Sequence, residues 1–205
     1  MKPESAALYL IILMSALAGC SGESGQAPAP SLPTVDSRTT TLQGSFQTLN
    51  HRPANDQTAL PALITYRTDL VPPGAKVTVR VRTAGKQTSV TMTTKGLNPG
   101  RMYTAHAHAK PCGVDPNGSG PHYQNVKDTV RPSVDPAYAN PANELWLDLM
   151  IDANGLGETT SNVSWIFREK EANSVVLHVG HTKTAAGVAG TAGERIACVT
   201  TEFGR

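Results

Sequence analysis

The segment Lys76-Val77-Thr78-Val79-Arg80-Val81-Arg82 constrains the fold more than any other stretch of the chain. Successive side chains of an extended strand point to opposite faces, so the valines share one face and the basic and hydroxyl residues the other. That is the pattern of an antiparallel strand packed on one side and wetted on the other. Alternating or β-branched segments recur at residues 41–47, 59–66, 88–94, 102–109, 144–152, 159–167, 174–179 and 195–201, separated by turn residues. About eight strands of this kind predict an all-β domain, an antiparallel sandwich or barrel. Runs of Leu, Glu and Lys at helical spacing are hard to find after residue 20, and Thr, Val, Ser, Gly and Pro are abundant, which favours the same class.

At 205 residues the chain fits one domain of ordinary size plus extensions. Charged residues make up 17% of it, the formal net charge is +2 and the basic residues are scattered, so nucleic acid is excluded as a partner. Residues 1–19 read as a signal peptide, because Lys2 precedes an apolar run from Ala6 to Ala18 that is too short to span a bilayer comfortably. The run ends in Leu17-Ala18-Gly19-Cys20, which resembles a bacterial lipobox in which Cys20 becomes a lipid-bearing N-terminus. The alternative is an ordinary signal peptide with an incidental cysteine. Both predict export, and the first predicts a domain anchored by lipid to the extracytoplasmic side of the cell membrane. Residues 20–40 are Gly, Ser and Pro-rich and read as a flexible tether, with the folded domain expected over 41–205.

Setting Cys20 aside leaves Cys112 and Cys198, and two cysteines in an exported protein predict one disulfide, the alternative being two buried thiols. Asp152-Ala153-Asn154-Gly155 predicts a hairpin turn, since Asn-Gly tolerates the positive φ that a tight turn requires. Residues 110–143 show no regular period and are too long for an idle connection in a compact domain. Because this stretch holds Cys112, His122 and several prolines, it reads as a pinned functional loop.

Five of the six histidines fall in the C-terminal half: His106, His108, His122, His178 and His181. Within a strand, His106 and His108 project from one face and could share a metal ion. His122 follows Gly118-Ser119-Gly120-Pro121, where a turn can bring an imidazole back over that strand. His178 ends the apolar run Val175-Val176-Leu177 and should emerge at the rim of a buried strand. Four imidazoles with no obvious carboxylate partner suit copper(II), although zinc, nickel and iron also accept imidazole. His181 reads as a solvated residue, the alternative being accessory copper binding, and the isolated His51 as a structural or exposed one.

The order His106-Ala107-His108, Cys112-Gly113, Gly120-Pro121-His122, Val175-Val176-Leu177-His178 and Gly193-Glu194-Arg195-Ile196-Ala197-Cys198 resembles the signature of the copper/zinc superoxide dismutases across residues 95–200. The resemblance implies a Greek-key, immunoglobulin-like β-sandwich with long functional loops. It implies copper ligands at His106, His108, His122 and His178, with His122 also the bridge to zinc. It further implies an anion-guiding Arg195, catalytic roles for Arg195 and His122, a Cys112–Cys198 disulfide, and conversion of superoxide to dioxygen and hydrogen peroxide. The pattern departs at zinc: the family supplies two further histidines and an aspartate after the bridging histidine, whereas residues 123–143 hold no histidine. Zinc is therefore not expected, and the chain resembles the copper-only variants of the family. Glu144 or Asp148 is expected to hold the free nitrogen of His122 in place of the second metal. The rival expectation is a non-enzymatic copper-binding envelope lipoprotein, a buffer or delivery protein, against which Arg195 argues because storage has no need of an anion guide.

Overall fold

The structure, a computed structural model, describes residues 36–51 and 59–204. The expected signal peptide, Cys20 and most of the expected tether lie outside the described residues. Among those described, nine strands follow one another as β1 (Ser37–Ser45), β2 (Leu63–Thr65), β3 (Lys76–Ala84), β4 (Gln87–Lys95), β5 (Met102–His108), β6 (Trp146–Met150), β7 (Leu156–Val163), β8 (Ser174–Val179) and β9 (Arg195–Thr200). They form two antiparallel sheets, one in the order β1-β3-β4-β7 and the other β2-β9-β8-β5-β6. Because β5 pairs with β8 while β6 and β7 intervene in the chain, the connection is of Greek-key type. No helix among the described residues is long and apolar enough to cross a membrane.

Period-two alternation decides what each strand buries. Val77 and Val79 of β3 and Val90 and Met92 of β4 face the other sheet, while Lys76 and Arg80 face solvent. From the five-stranded sheet come Tyr103, Ala105, Leu147, Leu149, Val175 and Leu177, packed with Phe46, Leu97 and Ile196 into one core. Each large side chain buried there stabilises the fold by about 1.5–3 kcal/mol before chain entropy is subtracted.

Two expectations are corrected. Residues 37–40, assigned to the tether, extend β1 and pair with the far end of β3 from Ser37 opposite Ala84 to Thr40 opposite Val81. Their side chains are exposed, so the ladder holds this edge with no hydrophobic pattern to betray it. The Asn154-Gly155 turn forms, with Gly155 at φ 75° and Asp152 Oδ1 accepting from the backbone N–H of Asn154 and of Leu156, both at 2.8 Å. It joins strands of different sheets, however, and is not the tip of a two-stranded hairpin.

The long loop after β5 contains a single short 3-10 turn, Pro116–Ser119, capped by the Asp115 carboxylate accepting from the N–H of Asn117. One end is pinned to β9 by the Cys112–Cys198 disulfide, which also suits an extracytoplasmic compartment. Its middle is held by Arg168, whose guanidinium lies over the Tyr123 ring and donates to the carbonyls of Gln124 and Asn125.

Candidate metal centre

The face of the five-stranded sheet turned away from the core carries the histidines. In β5, Tyr103, Ala105 and Ala107 enter the core, so Thr104, His106 and His108 share the outer face. In β8, Val175 and Leu177 go inward and His178 outward, opposite Thr104. In β6, Leu147 and Leu149 go inward, leaving Trp146 and Asp148 beside the histidines. The long loop folds back so that His122 bridges to His108, fixed by the N–H of Tyr123 donating to Ala107 and that of Ala109 donating to Pro121.

Arg195 reaches the same face by a register shift. Leu177 pairs with Ala197 and His178 with Arg195, so Ile196 is the extra residue of a β-bulge. The bulge sends Ile196 into the core next to Ala197 and turns Arg195 outward beside His178. Arg195 Nη1 then donates to Ser119 Oγ at 2.9 Å and to the Pro116 carbonyl at 3.2 Å. Burial holds its guanidinium below the usual arginine range.

Each of the four imidazoles spends one nitrogen on an orienting hydrogen bond. His108 Nδ1 is 2.8 Å from the Gly120 carbonyl and His178 Nδ1 3.2 Å from that of Gly193. His122 Nδ1 is 3.0 Å from Glu144 Oε2, and His106 Nε2 is 2.9 Å from Thr182 Oγ1. The ligand atoms of the four lie within 4.8 Å of one another, compatible with one ion, since nitrogens facing each other across a metal are about 4 Å apart. His106 Nδ1 decides the fit: among the described residues it is the one buried side-chain polar atom without a hydrogen-bond partner. An orphaned lone pair in a fully buried ring is expensive unless a cation fills it.

The electrostatics favour the neutral, ligating form of these rings. Burial, aided by His122 and the other neighbouring imidazoles, depresses His106 and His108 well below the usual histidine value. Burial, followed by His122, brings His178 down to about 3.

The sequence matches no family model and no curated protein. Solved structures do match. Its structural neighbours are copper/zinc superoxide dismutase and dismutase-like proteins. The copper/zinc superoxide dismutase from Brucella abortus has 20% identity and a TM-score of 0.49, the match covering 81% of this chain and 99% of that one. A double mutant of a dismutase-like protein from Bacillus subtilis has 19% identity and a TM-score of 0.45, covering 60% and 86% respectively. A clock protein has 19% identity and a TM-score of 0.42, covering 62% and 85%.

The structure brings together His106, His108, His122, His178 and Arg195, and separates them from exposed His51 and His181. Of the two acids expected beside His122, Glu144 is the partner; Asp148 instead accepts from Thr182, whose Oγ1 is 2.9 Å from His106 Nε2. Several residues carried no signal in the sequence. Gln124 Nε2 donates to Glu144 Oε1 at 2.8 Å, and Trp146 Nε1 donates to Oε2 at 2.9 Å. Gly190, at φ 77°, closes over this pair, and a Cβ there would meet Ala139 at 3.0 Å and Glu144 Oε2 at 3.5 Å. A cavity of about 350 Å³ opens beside the cluster between His122, His178, Arg195 and Arg131. Another of about 410 Å³ flanks His122 and is lined by Lys110, Lys127, Arg131, Arg168 and Lys170 against a single acid, Glu171.

Proposed function

We propose that this chain is a copper-dependent superoxide dismutase of the cell envelope, tethered through Cys20, that converts two superoxide anions and two protons into dioxygen and hydrogen peroxide. The observation that carries the reading is the bare, buried Nδ1 of His106 among three further imidazoles that are each already oriented through their other nitrogen. His106, His108, His122 and His178 would hold the ion, and copper, when bound, supplies one-electron exchange with superoxide. The site is read as mononuclear, because Glu144 occupies the Nδ1 of His122, the atom a neighbouring zinc would need.

The remaining parts suit a small anionic substrate. Arg195 lies on the wall of the cavity that reaches His122 and His178, and Arg131 faces the same space. Against these two arginines the lining holds one acid, Glu144, which is bonded to His122; a wall of net positive charge raises the local concentration of an anionic substrate and its encounter rate. Glu144 keeps the proton of His122 on Nδ1, so that its Nε2 lone pair faces the cluster.

Metal analysis of the purified chain, paired with a dismutation assay on wild type, His122→Ala and Arg195→Ala, tests the reading. One copper per chain is expected, with activity abolished in the first variant and reduced in the second about tenfold or more, with a weakened response to ionic strength. Stoichiometric copper without dismutation would instead establish a copper buffer or delivery protein.

A further inference from the structure

We propose that Thr182 and Asp148 act as positioning residues that fix the tautomer of His106 and so present its Nδ1 lone pair to the histidine cluster. What that lone pair is for rests on the metal-site reading; the hydrogen-bond directions do not.

A hydroxyl has one proton to give, and Thr182 Oγ1 has three polar neighbours: Asp148 Oδ1 at 2.9 Å, His106 Nε2 at 2.9 Å and Thr104 Oγ1 at 3.0 Å. A carboxylate can only accept. The Thr182 proton therefore goes to Asp148, and the backbone N–H of Thr182 donates to the same Oδ1 at 3.1 Å, locking the approach. The two lone pairs left on Thr182 Oγ1 are then filled by the two remaining neighbours, Thr104 O–H and His106 Nε2–H. With its proton on Nε2, His106 has a bare Nδ1, which is the orphaned atom of the cluster. The opposite tautomer would turn the Thr182 proton toward Nε2, give up its bond to Asp148, whose exposed carboxylate would then turn to water, and bury an N–H on Nδ1 with no acceptor.

The fold assembles this chain from three places. Asp148 of β6 stands opposite Thr104 of β5, His106 is the next residue on the same face, and Thr182 arrives four residues after His178 on the loop leaving β8. His106 differs from the other three histidines, whose orienting nitrogens reach backbone carbonyls or Glu144 directly. It alone works through a hydroxyl, which could donate or accept, and it needs the carboxylate behind it to settle the direction.

The test is heteronuclear NMR of the isotope-labelled apo protein, reading the ring nitrogens of His106, together with copper(II) titration. In wild type, Nε2 is expected protonated and Nδ1 bare. Thr182→Val should give a mixed tautomer and a copper affinity lower by about 10- to 100-fold, Asp148→Asn a smaller change of the same kind, and Thr182→Ser should restore wild-type behaviour. A wild-type His106 protonated on Nδ1, or a Thr182→Val protein with unchanged tautomer and affinity, would overturn the proposal. A wild-type protein with the stated tautomer that binds no copper would support the hydrogen-bond assignment and overturn the dismutase reading.

Discussion

His122 Nδ1 donates to Glu144 Oε2 at 3.0 Å, and the same carboxylate accepts from Trp146 and from Gln124. Glu144 is buried, and removing its carboxylate strips one hydrogen bond each from His122, Trp146 and Gln124, of which Gln124 keeps its bond to Ser133. Glu144→Ala is expected to lower copper affinity by about 10- to 100-fold and to destabilise the fold by about 2–4 kcal/mol, with Glu144→Gln milder because an amide oxygen still accepts. Competition titration with a chelator and thermal denaturation check both numbers.

If the histidine cluster holds copper as proposed, filling the orphaned Nδ1 of His106 is expected to make the loaded protein the more stable form. A ligand present at a thousand times its dissociation constant stabilises the native state by about 4 kcal/mol, which for a domain of this size raises Tm by about 10 °C. Calorimetry should show that rise when copper is added to chelator-stripped protein. In His106→Ala the rise should be largely lost.

The Cys112–Cys198 bridge closes a separation of 86 residues, for which chain entropy predicts about 4–5 kcal/mol of stabilisation. It also anchors the loop whose Pro116 carbonyl and Ser119 hydroxyl receive the Arg195 guanidinium. A Cys112→Ser/Cys198→Ser variant is therefore expected to melt well below wild type under oxidising conditions. In the dismutation assay it should lose several-fold in rate at temperatures where it is still folded, and copper content separates that loss from loss of metal.

Burial pushes the Tyr66 phenol up to about 12 from its usual 10, and its O–H donates to the Gly113 carbonyl at 2.8 Å. The folded chain thus keeps this proton where the unfolded chain has released it. Stability contributed by Tyr66 is complete below pH 10 and falls as pH rises from 10 toward 12. Tyrosinate absorbance titration of wild type against Tyr66→Phe should show one late-titrating tyrosine missing from the variant. The alkaline fall in unfolding free energy should be shallower in the variant.

Much of the sandwich was legible because alternation is local. The valines of β3 declare their inner face, and the boundaries of β8 follow directly from its apolar run. The first residues of β1 were not legible, since an exposed edge strand needs only backbone pairing and leaves composition free. The Asn154-Gly155 turn was visible, but whether its two strands pair or part into different sheets depends on neighbours far away in the chain.

The amino-acid sequence by itself determined the donor set of the site: His106 and His108 two residues apart on one strand face, His178 at the end of an apolar run, His122 after a glycine-proline turn, and Cys112 and Cys198 as the pair left to bridge. Those features are short-range, and period-two geometry converts them directly into direction. Only the tertiary structure decided which acid serves which ring. Glu144 and Asp148 both come from the stretch leading into and through β6, yet one meets His122 and the other reaches His106 through Thr182. Likewise, a bulge opposite Leu177 and His178, invisible in the sequence, turns Arg195 to the site. Hydrogen-bond partners are chosen by what the packed sheet and its loops place within 3 Å, and residues as common as Thr, Asp and Gln announce that choice only after the chain has folded.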